Sequence, residues 1–194
     1  DYFAPTFAEK TAENVKRYSN LLNLKCCIGA FVDNEISWQR KVGVTALAVL
    51  SCPATQPAKI EMQKVLEKKY GTVAALNKAW KSNYSDWSDF LARTDFEPKM
   101  ENAKDDLLAF EKLFLEHYFK VCRDAVKAVC PKALYLGCRF MTVENELTAR
   151  AAYEICDVVS CNIYRSDVSF YAPPPGAKDK PMIIGEFHIG RIDK

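Results

Sequence analysis

Four short runs of bulky apolar residues, each bounded by breakers, punctuate the chain: Cys26–Val32, Ala133–Phe140, Cys156–Tyr164 and Pro181–Ile184. Runs of this length, without strict polar alternation, predict strands buried on both faces. Amphipathic stretches lie between them. Lys59–Tyr70 carries Ile60, Met62, Val65 and Leu66 at helical spacing and stops at Gly71, after which Thr72 can cap a second helix through Leu76 and Trp80. Asp105–Val129 is the longest, with an apolar stripe through Leu108, Phe110, Leu113, Phe114, His117, Tyr118, Val121, Ala125 and Val126 before Pro131. Glu144–Ile155 predicts a shorter helix feeding the third strand, and Phe7–Leu22 one that precedes the first. This alternation predicts an α/β fold with a parallel sheet, its strands covering Ile28–Asn34, Leu134–Arg139, Val158–Tyr164 and Met182–Glu186.

The strand ends carry the candidate chemistry. Val32-Asp33-Asn34-Glu35 closes the first run and Ile184-Gly185-Glu186-Phe187-His188 the last, while Arg139, Asn162 and Tyr164 sit at the ends between them. Ligands of parallel sheets collect at the carboxyl ends of the strands. A lone polar residue after a strand is commonly only a turn. Two glutamates at equivalent ends form the pair that retaining glycoside hydrolysis uses, one as acid/base and one as nucleophile. Trp38, three residues beyond Glu35, has two readings: a platform for the apolar face of a sugar, or a packing residue. His188 is a substrate hydrogen-bond donor or a satisfied group behind the site; His117, Trp80 and Trp87 read as structural.

Several of these strings resemble a known family in the same order. Asn34-Glu35, Asn162-x-Tyr164 and Gly185-Glu186-Phe187-His188 are similar to the ends of the fourth, sixth and seventh strands of a clan A glycoside hydrolase barrel. Leu66-x-x-Lys69-Tyr70-Gly71-Thr72, followed by Leu76-Asn77-x-x-Trp80 and Tyr84-Ser85-Asp86-Trp87, resembles a helical segment of family 42 beta-galactosidases and family 50 beta-agarases. Phe31 to Trp38, Tyr135 to Phe140, and Gly185 to Gly190 running into Asp193 favour the agarases.

The resemblance implies part of a (β/α)8 TIM barrel: residues 1–194 as a segment of the catalytic domain holding strands four to seven, without the first three and the last. It implies retaining hydrolysis of beta-galactosidic bonds in agarose or agaro-oligosaccharides. The alternatives are a family 42 type beta-galactosidase acting on small galactosides, and a non-catalytic carbohydrate-binding remnant. It makes Glu35 the acid/base, Glu186 the nucleophile and Asn34 the partner of the sugar 2-hydroxyl; Tyr164 donates to the nucleophile. Arg139, Asn162, His188 and Trp38 complete the substrate-binding set. The two carboxyl groups should stand about 5 to 5.5 Å apart. The open edges of such a segment call for the rest of the barrel or another chain to cover them.

Composition narrows the alternatives. Lys and Arg number 27 against 25 Asp and Glu, without a long run of one sign, so nothing points to nucleic acid or an anionic membrane as partner. No apolar stretch approaches the ~20 residues of a membrane span. Two histidines and scattered cysteines give no zinc-ligand spacing, and there is no Gly-rich phosphate loop, so no cofactor is expected. Of the eight cysteines, Cys26, Cys27, Cys138, Cys156 and Cys161 fall in predicted strands and Cys122 and Cys130 on a helix, the pattern of packed thiols suited to a reducing compartment. The resemblance points instead to export, leaving the compartment open.

Overall fold

The computed structural model describes residues 1–36, 38, 41–95, 98–141 and 145–188. In chain order the elements are α1 (Pro5–Arg17), α2 (Ser19–Leu22), β1 (Gly29–Ala30), α3 (Val44–Leu50), α4 (Pro57–Tyr70), α5 (Val73–Trp80), α6 (Trp87–Ala92), α7 (Met100–Val129), β2 (Leu134–Tyr135), β3 (Phe140–Met141), α8 (Glu146–Ile155), β4 (Val159–Ile163) and β5 (Met182–Phe187). They divide into a helical unit, Asp1–Phe7 with Lys41–Phe114, and a strand unit, Ala8–Arg40 with Leu115–Lys194.

In the helical unit, α4 opens on Pro57, whose missing N–H costs nothing in a first turn, two residues ahead of the predicted Lys59. It ends at Gly71 with φ 73°, a left-handed conformation that glycine adopts freely. Thr72 caps α5 as expected, its hydroxyl accepting from Ala75 N–H at 3.2 Å. Asp86 caps α6 in the same way through Asp89 N–H at 2.8 Å. The unpredicted helix α3, Val-Thr-Ala-Leu-Ala-Val-Leu, offers no amphipathic period. Its first turn is satisfied from far along the chain, where the buried Glu111 carboxylate accepts from Thr45 and Ala46 N–H at 3.1 and 3.3 Å.

Leu66, Leu76, Trp80, Phe90, Leu107 and Phe110 fill the core of this unit. Two buried polar groups tie the helices together. Lys59 donates to the carbonyls of Cys52 and Arg93 at 2.8 and 2.6 Å, just past the ends of α3 and α6; burial pulls its amine below the usual lysine range. Asp106 accepts from Lys69, Tyr70 and the Trp80 indole at 2.5, 2.6 and 2.7 Å. Burial opposes its charge, but the three donors outweigh that and hold the carboxyl below the usual carboxylate range.

In the strand unit every pairing is parallel: β1 with β2, and β3 with β4 with β5 in that order. The predicted strand Leu134–Arg139 is divided between β2 and β3, because Gly137 and Arg139 turn left-handed at φ 77° and 48°. Ser160 bridges the gap, its hydroxyl donating to the Leu136 carbonyl at 2.8 Å and accepting from Arg139 N–H at 3.1 Å. The first strand is regular only at Gly29–Ala30, since Asp33 and Glu35 also lie left-handed at φ 63° and 49°. Val32 N–H still reaches the Gly137 carbonyl at 2.9 Å, so the chain stays alongside its neighbour. A left-handed non-glycine residue costs on the order of 1–3 kcal/mol, and Asp33, Glu35 and Arg139 spend it where chemistry was expected.

β4 is buried along its whole length, and Tyr118, Phe119, Cys122 and Val126 of α7 with Ala151 and Ala152 of α8 are buried in the same unit. Asn145 caps α8 through Thr148 N–H at 2.9 Å; its predicted first residue, Glu144, lies outside the described residues. The predicted helix Phe7–Leu22 is interrupted at Tyr18 into α1 and α2. All eight cysteines are free thiols, with Cys122, Cys138, Cys156 and Cys161 buried.

Candidate active site

The parallel strands bring Glu35, Arg139, Asn162, Tyr164 and Glu186 together at their carboxyl ends. A bulge decides how β5 contributes: Cys161 stands opposite Ile184, but the next residue, Asn162, stands opposite Glu186, so Gly185 is the extra residue. A bulge changes the alternation of side chains and can re-aim one residue. Glu35 is aimed by its own left-handed backbone, pinned by its N–H to the carbonyls of Cys138 and Arg139 at 2.9 and 3.2 Å.

The two carboxylates share a hydroxyl. Tyr164 Oη lies 2.6 Å from Glu186 Oε2 and 3.2 Å from Glu35 Oε1. These oxygens therefore stand no further apart than the sum of the two distances, 5.8 Å. Asn162 Nδ2 donates to the same Glu35 oxygen at 2.6 Å, and Arg139 Nη1 pairs with Glu186 Oε1 at 2.9 Å. The hydrogen bond to Glu186 is the main cause that pushes the Tyr164 hydroxyl up to about 12. Arg139 lies over the Phe31 ring, 5.2 Å from its centroid.

Asn34 is exposed beside Glu35, and the exposed His188 faces the Tyr164 ring at 5.0 Å between centroids. Trp38 is a correction to the platform reading. Its side chain is 7% exposed and packs against Tyr118, Phe119 and Phe140 with ring centroids 5.2, 5.7 and 6.1 Å away, leaving no face for a sugar. Ile189, Gly190 and Asp193 of the motif lie outside the described residues.

Two contributors were not singled out from the sequence as site residues. Tyr118, a member of the α7 apolar stripe, sends its hydroxyl to Asp33 Oδ2 at 2.9 Å and so ties down the turn leading into Asn34-Glu35. A tyrosine within a mostly apolar stripe is the signal available, because a buried hydroxyl needs a partner. Phe31 has no sequence signal beyond its place in the Phe31–Trp38 motif. Among the described residues, no group of three or more His, Cys, Asp or Glu side chains could hold a metal ion, and no helix is long and apolar enough to cross a membrane.

No protein-family model matches the chain. Among curated proteins it is 31% identical to Beta-agarase B of Vibrio sp. strain JT0107 over 206 residues, covering 100% of the chain and 22% of that protein. It is 33% identical to Beta-agarase A of the same strain, covering 88% of the chain and 19% of the relative. Among solved structures, an exo-beta-agarase superposes with a TM-score of 0.85 at 33% identity over 97% of the chain, and PfGH50B with 0.86 at 30% over 97%. The chain is homologous to a segment of the family 50 beta-agarases. It spans only about a fifth of the curated family members it matches, and 27% and 29% of the two structures. The beta-galactosidase of Rahnella sp. R3, at 18% identity and a TM-score of 0.61, shares the fold with the chain.

Proposed function

We propose that this chain carries the catalytic pair of a retaining glycoside hydrolase that cleaves beta-galactosidic bonds of agarose or agaro-oligosaccharides, and that its strands are the fourth to seventh of a (β/α)8 barrel, within residues 1–194 of the catalytic domain. The observation that supports it most is the shared Tyr164 hydroxyl. A limit of 5.8 Å between the two carboxylate oxygens suits direct attack by one of them, where inverting enzymes hold their carboxyl groups about 6.5–9.5 Å apart to seat a water. Homology to beta-agarases supplies the substrate class.

In this reading Glu186 attacks the anomeric carbon while Glu35 gives its proton to the departing glycosidic oxygen, leaving a glycosyl ester on Glu186. Glu35 then takes a proton from water, whose oxygen attacks the same carbon and frees Glu186. Arg139 and Tyr164 each bind one oxygen of Glu186, fixing its orientation. Asn162 holds Glu35 and so acts on the acid/base rather than on the sugar. In the same reading Asn34, exposed beside Glu35, bonds the 2-hydroxyl as charge develops on the ring, and the exposed His188 bonds substrate beyond Glu186. The fold shared with the Rahnella beta-galactosidase keeps small galactosides as the second reading. Incubating the full-length protein with agarose, neoagaro-oligosaccharides and lactose decides between them. Release of neoagaro-oligosaccharides with lactose untouched is expected; hydrolysis of lactose alone would favour the galactosidase, and of none the binding remnant.

A further inference from the structure

Gly185 is not a glycine for conformational reasons: its φ lies outside the left-handed region, so its backbone admits any residue. What an alanine would meet is side chains. A Cβ built there falls 2.7 Å from Arg139 Cδ, 3.2 Å from Arg139 Cγ and 2.9 Å from Asn162 Oδ1. Real contacts essentially never come under 3.0 Å, so both side chains would have to move. Neither is slack. Arg139 is held between the Phe31 ring and Glu186, and Asn162 is wholly buried with its amide on Glu35.

We propose that Gly185 is a positioning residue: the bulge it forms is a notch through which the Arg139 stem and the Asn162 carboxamide pass, one to reach the nucleophile and the other the acid/base. The proposal rests on the functional reading above and assigns to the missing side chain the joint placement of both carboxylates. A methyl group at this point displaces the donors of Glu35 and Glu186 together, while Tyr164, which reaches both carboxylates through its hydroxyl, is not among the three atoms nearest to the methyl. The predicted damage is thus to the chemical step and not to substrate capture.

The test uses the full-length protein. Gly185→Ala is expected to lower kcat by at least about tenfold, with KM changed less than about threefold. The decisive arm adds the same substitution to Arg139→Ala/Asn162→Ala, where the notch is empty. There Gly185→Ala should change neither the residual rate nor the melting temperature appreciably, a non-additivity that only a shared contact produces. An equal loss in both backgrounds, or wild-type kcat in the single variant, would overturn the proposal. The melting comparison reads the notch even if Gly185→Ala alone folds poorly. If the unmutated protein cleaves no beta-galactoside, the functional reading fails instead, and full cost of the methyl in the emptied background would then remove the notch as well.

Discussion

Tyr164 is the residue on which the two carboxylates meet, so its hydroxyl is the atom to remove. Tyr164→Phe deletes a charge-assisted hydrogen bond to Glu186 at a side chain 37% exposed. Turnover should fall about 10- to 100-fold with the melting temperature nearly unchanged, measured as kcat and Tm of the full-length protein. Trp38→Ala should do the reverse. It empties a buried aromatic site, costing about 3–5 kcal/mol of stability, and denaturant unfolding of the strand unit reads it. A raised KM with unchanged stability would restore the platform reading. At this scale the sequence made the two glutamates and their Asn, Arg and Tyr neighbours visible, because charged and polar residues after apolar strand runs break the pattern. It could not decide Trp38, since a tryptophan near a strand end reads alike whether it faces sugar or core. Nor could it pair Tyr118 with Asp33, for the stripe on a helix gives its face and not its partner.

Elements with a local signal came through: the Gly71 stop, the Thr72 cap and the Val129 end of α7 are all written in neighbouring residues, although α7 begins at Met100, ahead of the predicted Asp105. α3 and the division between β2 and β3 were hidden because their causes are remote or conformational, a Glu111 carboxylate in one case and left-handed Gly137 and Arg139 in the other. The donors around Asp106 give the helical unit a pH signature. A carboxyl whose folded pKa is depressed contributes stability above its unfolded pKa of ~3.9, and loses it as pH falls through the lower folded value. Glu111 is shifted upward, chiefly by burial, and works with the opposite sign, so the Asp106 share needs a variant. Asp106→Asn should lower protection of the α4–α7 amides by about 2 kcal/mol at pH 7 and by progressively less toward pH 3, measured by hydrogen exchange. The same loss at both pH values would contradict the assignment of the charge.

For the whole molecule, β1 and β5 each pair on one side among the described residues; Phe187 of β5 is 74% exposed, and Ile28, immediately before β1, 63%. Open edges with apolar side chains favour self-association. Residues 1–194 expressed alone should therefore elute as aggregates and lack turnover, whereas the full-length protein is expected to be dispersed and active, by light scattering and reducing-sugar release. A monodisperse, active segment would show that the pair needs no further strands. The parallel α/β character of the segment was legible from alternating apolar runs and amphipathic helices.

If Glu35 and Glu186 divide one retaining reaction between them, azide distinguishes their roles directly. In the full-length Glu35→Ala variant, a beta-galactoside with an activated leaving group still forms the glycosyl ester on Glu186, and azide in place of water attacks it from the original face, giving a beta-galactosyl azide. In Glu186→Ala, azide occupies the space of the lost carboxylate and displaces the leaving group once, giving the alpha-anomer. Proton NMR of the azide products reads both outcomes. Exchanged anomers would reverse the two roles, and near wild-type turnover in both variants would contradict the account.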